Sequence, residues 1–394
     1  MISKAHPGPR HDEETLACDL LIVGAGIVGL WIARLAAQAG LNAILLEARA
    51  VGTGASGGIL GALMPHMPER WNPKKQFQFE ALVSLADKVA DLEAETGLDC
   101  GYRRCGRLIP LVRPHHRALA EERRCAAEQV WDSRHTGFDW AVRDTPYSAN
   151  WPSLQSMPNG LVHETLSARI NPRRYLSALK ASVKANATLI EDEGFLRWDK
   201  IRQETVTTKG RVITAAQTVL TAGYETFSLM GELLERPSHE FGIPVKGQAA
   251  HLKAEIADNL PLMFYDGLYI VPHKDGIVAV GSTSEVEFTD GTATDGKLDN
   301  LVERAAALCP ALASAPVVER WAGLRPKAIG RDPMIGSVPD HPGVFVATGG
   351  FKITFGIAHT MAHAALETAT TGQCRSLPES FRLEAHLNMQ EAAP

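Results

Sequence analysis

The apolar positions change period twice in the first fifty residues. Leu20-Leu21-Ile22-Val23 is a continuous apolar run, the pattern of a strand buried on both faces. From Leu30 to Ala39 the spacing lengthens: Leu30, Ala33 and Ala37 share one helix face, and Gly40 stands where a helix-ending glycine belongs. Asn42-Ala43-Ile44-Leu45-Leu46 then reads as a second strand, ending at Glu47. Further along, Leu82, Leu85, Ala86, Val89 and Leu92 predict an amphipathic helix over Glu80–Thr96. Cys105–Leu111 reads as a strand, Arg117–Val130 as a helix and Gly160–His163 as a strand. Asn171 and Pro172 are a cap and a first-turn residue for a helix over Arg173–Ala185. Leu268–Pro272 and Ile277–Gly281 flank an Asp-Gly turn and predict a hairpin. Val344–Thr348 reads as a buried strand, followed by a helix over Ile357–Thr370.

The segment Leu20–Leu46 is apolar enough to imitate a membrane span. Arg34, Gln38, Asn42 and four glycines interrupt it, so strand, turn, helix and strand explain it better. The turn is Gly24-Ala25-Gly26-Ile27-Val28-Gly29. In a G-x-G-x-x-G of this context the first glycine makes the tight turn, the second admits a pyrophosphate and the third lets helix and strand pack closely. The helix N-terminus offers unpaired N–H groups to phosphate. Glu47, 23 residues after Gly24, is placed to accept hydrogen bonds from ribose hydroxyls. Both NAD and FAD satisfy this motif. Directly after Ala48 and Arg49 comes a second loop of small residues, Gly52 to Gly61, which includes Gly54, Ala55, Ser56, Gly58 and Ile59. Such a loop lets a chain pass close to a bulky ligand.

Length bears on domain count: 394 residues suit two domains. With 45% hydrophobic and 22% charged residues the chain is globular, and a net charge of −5 leaves no basic excess for nucleic acid. Six scattered cysteines fit neither a zinc site nor a redox pair, so reduced thiols and a cytoplasmic location are expected. Met1–Ala17 lacks an apolar core and is expected to be a flexible leader rather than a signal peptide. No metal site is expected.

Two further constellations carry candidate chemistry. Arg325 lies in Trp321-Ala322-Gly323-Leu324-Arg325-Pro326; an arginine there either extends into water or grips a carboxylate with its planar fork. Gly349-Gly350-Phe351-Lys352-Ile353-Thr354 forms a turn between the last strand and the last long helix. His66, His273, Tyr265 and Tyr269 are isolated candidates.

Gly24–Gly29, Glu47 and Gly52–Gly61 together resemble the FAD-dependent amino-acid and amine oxidoreductases of the D-amino-acid-oxidase type, the group that includes glycine and sarcosine oxidases. The Lys246–Gly281 block resembles the same family. The resemblance implies an α/β fold (α+β overall) of the glutathione-reductase type: a Rossmann-like FAD-binding domain with a discontinuous antiparallel-sheet substrate domain. The expected segments are 18–80, 150–235 and 318–385 for the first domain, 81–149 and 236–317 for the second, and a flexible tail over 386–394. FAD is expected to be non-covalent, since no cysteine stands where sarcosine oxidases attach theirs. The resemblance also places Ala222-Gly223 and Gly349–Thr354 at the cofactor. It implies that Arg325 holds a substrate carboxylate, helped by Lys352, where glycine oxidases carry an arginine, and that Tyr269 faces the substrate. The implied activity is oxidation of the C–N bond of a small amino acid or N-substituted amino acid, with hydride passing to flavin N5 and hydrolysis of the imine. The alternatives are a 2-hydroxy-acid dehydrogenase, which requires a base such as His66 or His273, and an FAD subunit that passes electrons to another chain. Expected partners are a small carboxylate-bearing amine and an electron-acceptor subunit or a second copy, with neither nucleic acid nor a membrane span.

Overall fold

The computed structural model describes residues 15–391. Two eight-stranded sheets organise the chain. The first has a parallel core in the order Val344–Thr348, Val212–Leu220, Thr15–Val23, Ala43–Leu46 and Thr188–Ile190. Leu20 to Val23 and Ala43 to Leu46 are buried throughout, as strands covered on both faces must be. The strand Val212–Leu220 changes partner along one edge. Its first half pairs antiparallel with Glu204–Thr207 and its second half pairs parallel with Val344–Thr348. The helices Ile27–Gln38, Pro73–Thr96, Pro172–Asn186 and Thr354–Thr371 share one hydrophobic core on this sheet.

The second sheet runs Val317–Ala328, Gly242–Lys253, Ile277–Gly281, Leu268–Pro272, Leu262–Tyr265, Arg107–Pro110, Leu161–Glu164 and Trp140–Arg143. All neighbours are antiparallel except Leu262–Tyr265 against Arg107–Pro110. The expected hairpin is present, with Tyr269 opposite Gly281 and Pro272 opposite Val278.

The structure departs from the expected segment boundaries in five places. Leu161–Glu164 and Val317–Ala328 belong to the second sheet, because their backbone partners are Arg107–Pro110 and Gly242–Lys253. The helix Pro73–Thr96 packs on the first sheet's helices. Thr15, Leu16 and Ala17, assigned to a leader, pair with Val212, Ile213 and Thr214. The expected tail begins inside the helix Leu383–Glu391, where His386 is buried and its Nε2 lies 3.0 Å from the Pro333 carbonyl. The remaining leader and tail residues lie outside the described ones. No helix among the described residues is long and apolar enough to cross a membrane.

Candidate active site

The carboxyl ends of the parallel strands converge on the two glycine loops. Gly24 adopts a φ of +106°, which side chains rarely tolerate, and a Cβ there would lie 2.6 Å from Ala222 Cα. A Cβ on Gly29 would collide with the Gly24 carbonyl and the Thr221 hydroxyl. The Thr221 hydroxyl donates to the Gly24 carbonyl at 2.7 Å, so turn, helix and strand form one close-packed unit. The Glu47 carboxylate accepts from Ala25 N at 2.8 Å and from Arg49 N at 3.0 Å. Ser56 ties the loops together by accepting from Ile27 N at 3.0 Å. Arg173 Nε donates to the Gly57 carbonyl at 3.0 Å. His251 and His273 brace Ile59 and Leu60, with Nε2 atoms 3.0 Å from the Ile59 carbonyl and 3.1 Å from the Leu60 carbonyl. Burial pushes His273 down to about 4, so the ring is neutral and donates to Leu60.

These loops wall an elongated cavity of about 480 Å³. Gly24, Gly26, Ile27, Val28, Glu47, Ala48, Arg49, Gly54, Ala55, Ser56, Gly58, Ile59 and Gly61 line it. So do Ala222, Gly223, Gly349, Gly350, Phe351, Lys352 and Thr354, together with Tyr269 and Arg325.

Three expected residues are elsewhere. Gly29 faces the packing of helix on strand. Ile353 packs against the hydrophobic core. His66 is half-buried outside the cavity, with its backbone N–H bonded to Gln78 Oε1 at 2.7 Å. Burial, with Lys75 and Lys74 nearby, holds its imidazole below the ordinary histidine range. His273 and Tyr265 are also absent from the lining.

The Arg325 end is the reactive-looking part. Arg325 is drawn from the strand Val317–Ala328 and lies across Gly247 of the neighbouring strand. Its Nη2 donates to the Thr283 carbonyl at 2.9 Å. Its Nη1 is buried and has no hydrogen-bond partner. Burial pushes the guanidinium down to about 10. Lys352 sits on the short turn Phe351–Ile353; burial and the nearby Arg325 push it down to about 8. Arg325 Cζ is 5.8 Å and Lys352 Nζ 5.6 Å from the centroid of the Phe351 ring. Burial raises the Tyr269 phenol, which therefore stays a hydrogen-bond donor at neutral pH.

A family model described as FAD dependent oxidoreductase matches residues 19–364. The chain belongs to this FAD-dependent oxidoreductase family. The oxidoreductase is 31% identical over 347 residues to a glycine oxidase of Pseudomonas aeruginosa, covering 84% of this chain and 89% of the relative. It is 32% identical over 353 residues to a glycine oxidase of Pseudomonas putida, with the same coverage. The crystal structure of glycine oxidase from Geobacillus kaustophilus superposes with a TM-score of 0.80 at 20% identity, covering 93% of this chain and 98% of that one. Iminodiacetate oxidase from a Chelativorans species gives 0.81 at 22% identity, covering 92% and 98%.

The cavity of the oxidoreductase fits FAD on its own features. The cradle at Gly24 has no room for a side chain, and the N-terminus of the helix Ile27–Gln38 opens beside it. Glu47 lines the same wall, with its carboxylate bonded to Ala25 N of the turn. Lining residues without a sequence signature include Phe195 and Thr208, which come from an antiparallel hairpin on the first sheet's edge. Trp321 and Leu324 also line the cavity; they share the motif of Arg325, and that proximity was the available signal.

Proposed function

We propose that this oxidoreductase oxidises the C–N bond of a small amine that carries a carboxylate. The observation that carries the reading is the Arg325 guanidinium: buried, pointing its free Nη1 into no protein partner, and lining the FAD cavity. A buried guanidinium nitrogen with no acceptor calls for an anion, and a carboxylate matches the geometry of the fork. FAD, when bound, supplies the two-electron acceptor for the oxidation.

The chain's own residues bind and orient. Arg325 fixes the carboxylate and thereby the carbon beside it. The Thr283 carbonyl holds the guanidinium from behind. Tyr269 offers its hydroxyl as a second donor. Trp321, Leu324 and Phe351 wall the same part of the cavity. Among the described residues no histidine lines the cavity, so His66 and His273 are not placed to take a proton from a substrate hydroxyl. That favours C–N over C–OH oxidation. The glycine oxidases of Pseudomonas, above 30% identical over most of the chain, support the same reading.

The same proposal gives Glu47 the ribose, the Gly24–Gly29 turn the pyrophosphate in a Rossmann-like arrangement, and Gly349–Thr354 the flavin. All six cysteines are unpaired, which supports a reducing, cytoplasmic setting. A panel of amino acids, N-methyl amino acids and 2-hydroxy acids, assayed by dye reduction with the holoenzyme, tests the reaction class. Carboxylated amines should turn over and the hydroxy acids should not; the reverse pattern would overturn the proposal.

A further inference from the structure

The ionisable residues of the FAD cavity fall into two groups. Among the described residues its lining carboxylates are Glu47 and Glu225. Glu47 is satisfied by Ala25 N and Arg49 N, and Glu225 pairs with Arg49 at 3.4 Å. The other group is Arg325 and Lys352, both within 6 Å of the Phe351 ring centroid. Among the described residues neither forms an ion pair, and Lys352 makes no hydrogen bond through its ammonium group. The walls between them are Trp321, Leu324, Tyr269 and Phe351, which offer no anion.

A single substrate carboxylate offsets one of these charges. The second, on the exposed side chain of Lys352, stays beside the first with no anion among the cavity walls to meet it. Partial burial and the nearby Arg325 hold the Lys352 ammonium below the ordinary lysine range. We propose that the substrate is an amine bearing two carboxylates, the first gripped by Arg325 and the second met by Lys352. Lys352 is then the residue that determines specificity. Arg325 supplies the two-pronged grip, and Lys352 supplies a point charge on a flexible stem, which tolerates variation in the position of the second carboxylate. This inference rests on the amine-oxidation reading above, and the test separates the two.

The first arm is binding without turnover. Ether analogues that carry no amine, the dianion diglycolate and the monoanion methoxyacetate, are titrated into the holoenzyme and followed by perturbation of the flavin absorbance. Succinate and butyrate serve as a second pair. The dianions should bind roughly tenfold or more tightly than their monoanion partners, as a charge-assisted contact provides. In Lys352→Met the dianion affinity should fall at least tenfold more than the monoanion affinity, and Lys352→Arg should keep the preference. Equal losses for dianion and monoanion would show both cations on one carboxylate and overturn the inference. So would an absence of dianion preference in the unmodified enzyme. The second arm compares turnover of iminodiacetate and N-methylglycine. Dianion-selective binding with no amine turnover would defeat the amine-oxidation reading and leave the charge assignment standing. Turnover of N-methylglycine in preference to iminodiacetate would do the opposite.

Discussion

Arg325 owes its position to a side chain that is missing. A Cβ on Gly247 would overlap the Nη2 and Cζ atoms of the guanidinium, which lies flat on that stretch of backbone. Gly247→Ala should therefore displace Arg325 without touching the dinucleotide turn. The expected result is a KM for a carboxylated amine raised at least tenfold with FAD content unchanged, measured by steady-state kinetics and by flavin released on heating. Lys352 gives a pH dependence of known sign. It is protonated below about 8 and loses its charge above, while Arg325, pushed to about 10, and the neutral Tyr269 do not change across that window. Affinity for a carboxylate ligand should be flat below neutrality and fall as pH rises past about 8. Bound anion favours the protonated lysine, so the break lies at or above that value. Lys352→Met should abolish it. At this scale the sequence is half legible. The Trp321–Pro326 motif left Arg325 open between surface and ligand, and only the tertiary burial of Nη1 decides between them. His66 stood near the glycine loop in sequence, yet a bond from its backbone to Gln78 keeps it outside the cavity.

Among the elements, the strand–turn–helix at the start was the most legible, because its period and its glycines agree. The helix starts three residues earlier than its apolar face implies, at Ile27, because Gly26 occupies the N-cap position and the turn needs no side-chain cap. Asn72-Pro73 repeats the cap-and-proline signal of Asn171-Pro172. It begins the long helix seven residues before its periodicity becomes apparent, with Asn72 Oδ1 accepting from Lys75 N at 3.1 Å. The close packing at Gly29 makes a strong prediction. Gly29→Ala has no space for its methyl against the Gly24 carbonyl and Thr221, and overpacking of this kind costs about 1–3 kcal/mol. The cost falls on the turn that would hold pyrophosphate, so the protein should purify largely without flavin and melt earlier. Full flavin content in that variant would show that the turn does not bind the cofactor.

Across the whole molecule, the two sheets are woven from alternating pieces of chain, and no local pattern announces that weave. Leu161–Glu164 reads as a strand, but nothing in its residues says that it pairs with Arg107–Pro110 rather than with the parallel sheet. What fixes the pairing chemically is a buried ion pair. Arg107 Nε lies 3.0 Å from Glu164 Oε1, and both side chains are almost fully buried. Glu164 also accepts from Leu166 N at 2.8 Å and Ser167 N at 3.0 Å. Glu164→Gln leaves a buried guanidinium uncompensated and should cost about 3–5 kcal/mol, read as a lowered urea midpoint of the holoprotein.

Arg325 as the anchor of a substrate carboxylate is the central claim. Flavin bleaching on anaerobic mixing with a carboxylated amine measures that anchor, through the substrate concentration giving half-maximal rate. Arg325→Ala should raise this concentration roughly 30-fold to over 1,000-fold while flavin content stays intact, as loss of a buried charge partner implies. An unchanged half-maximal concentration in a flavin-replete variant would contradict it.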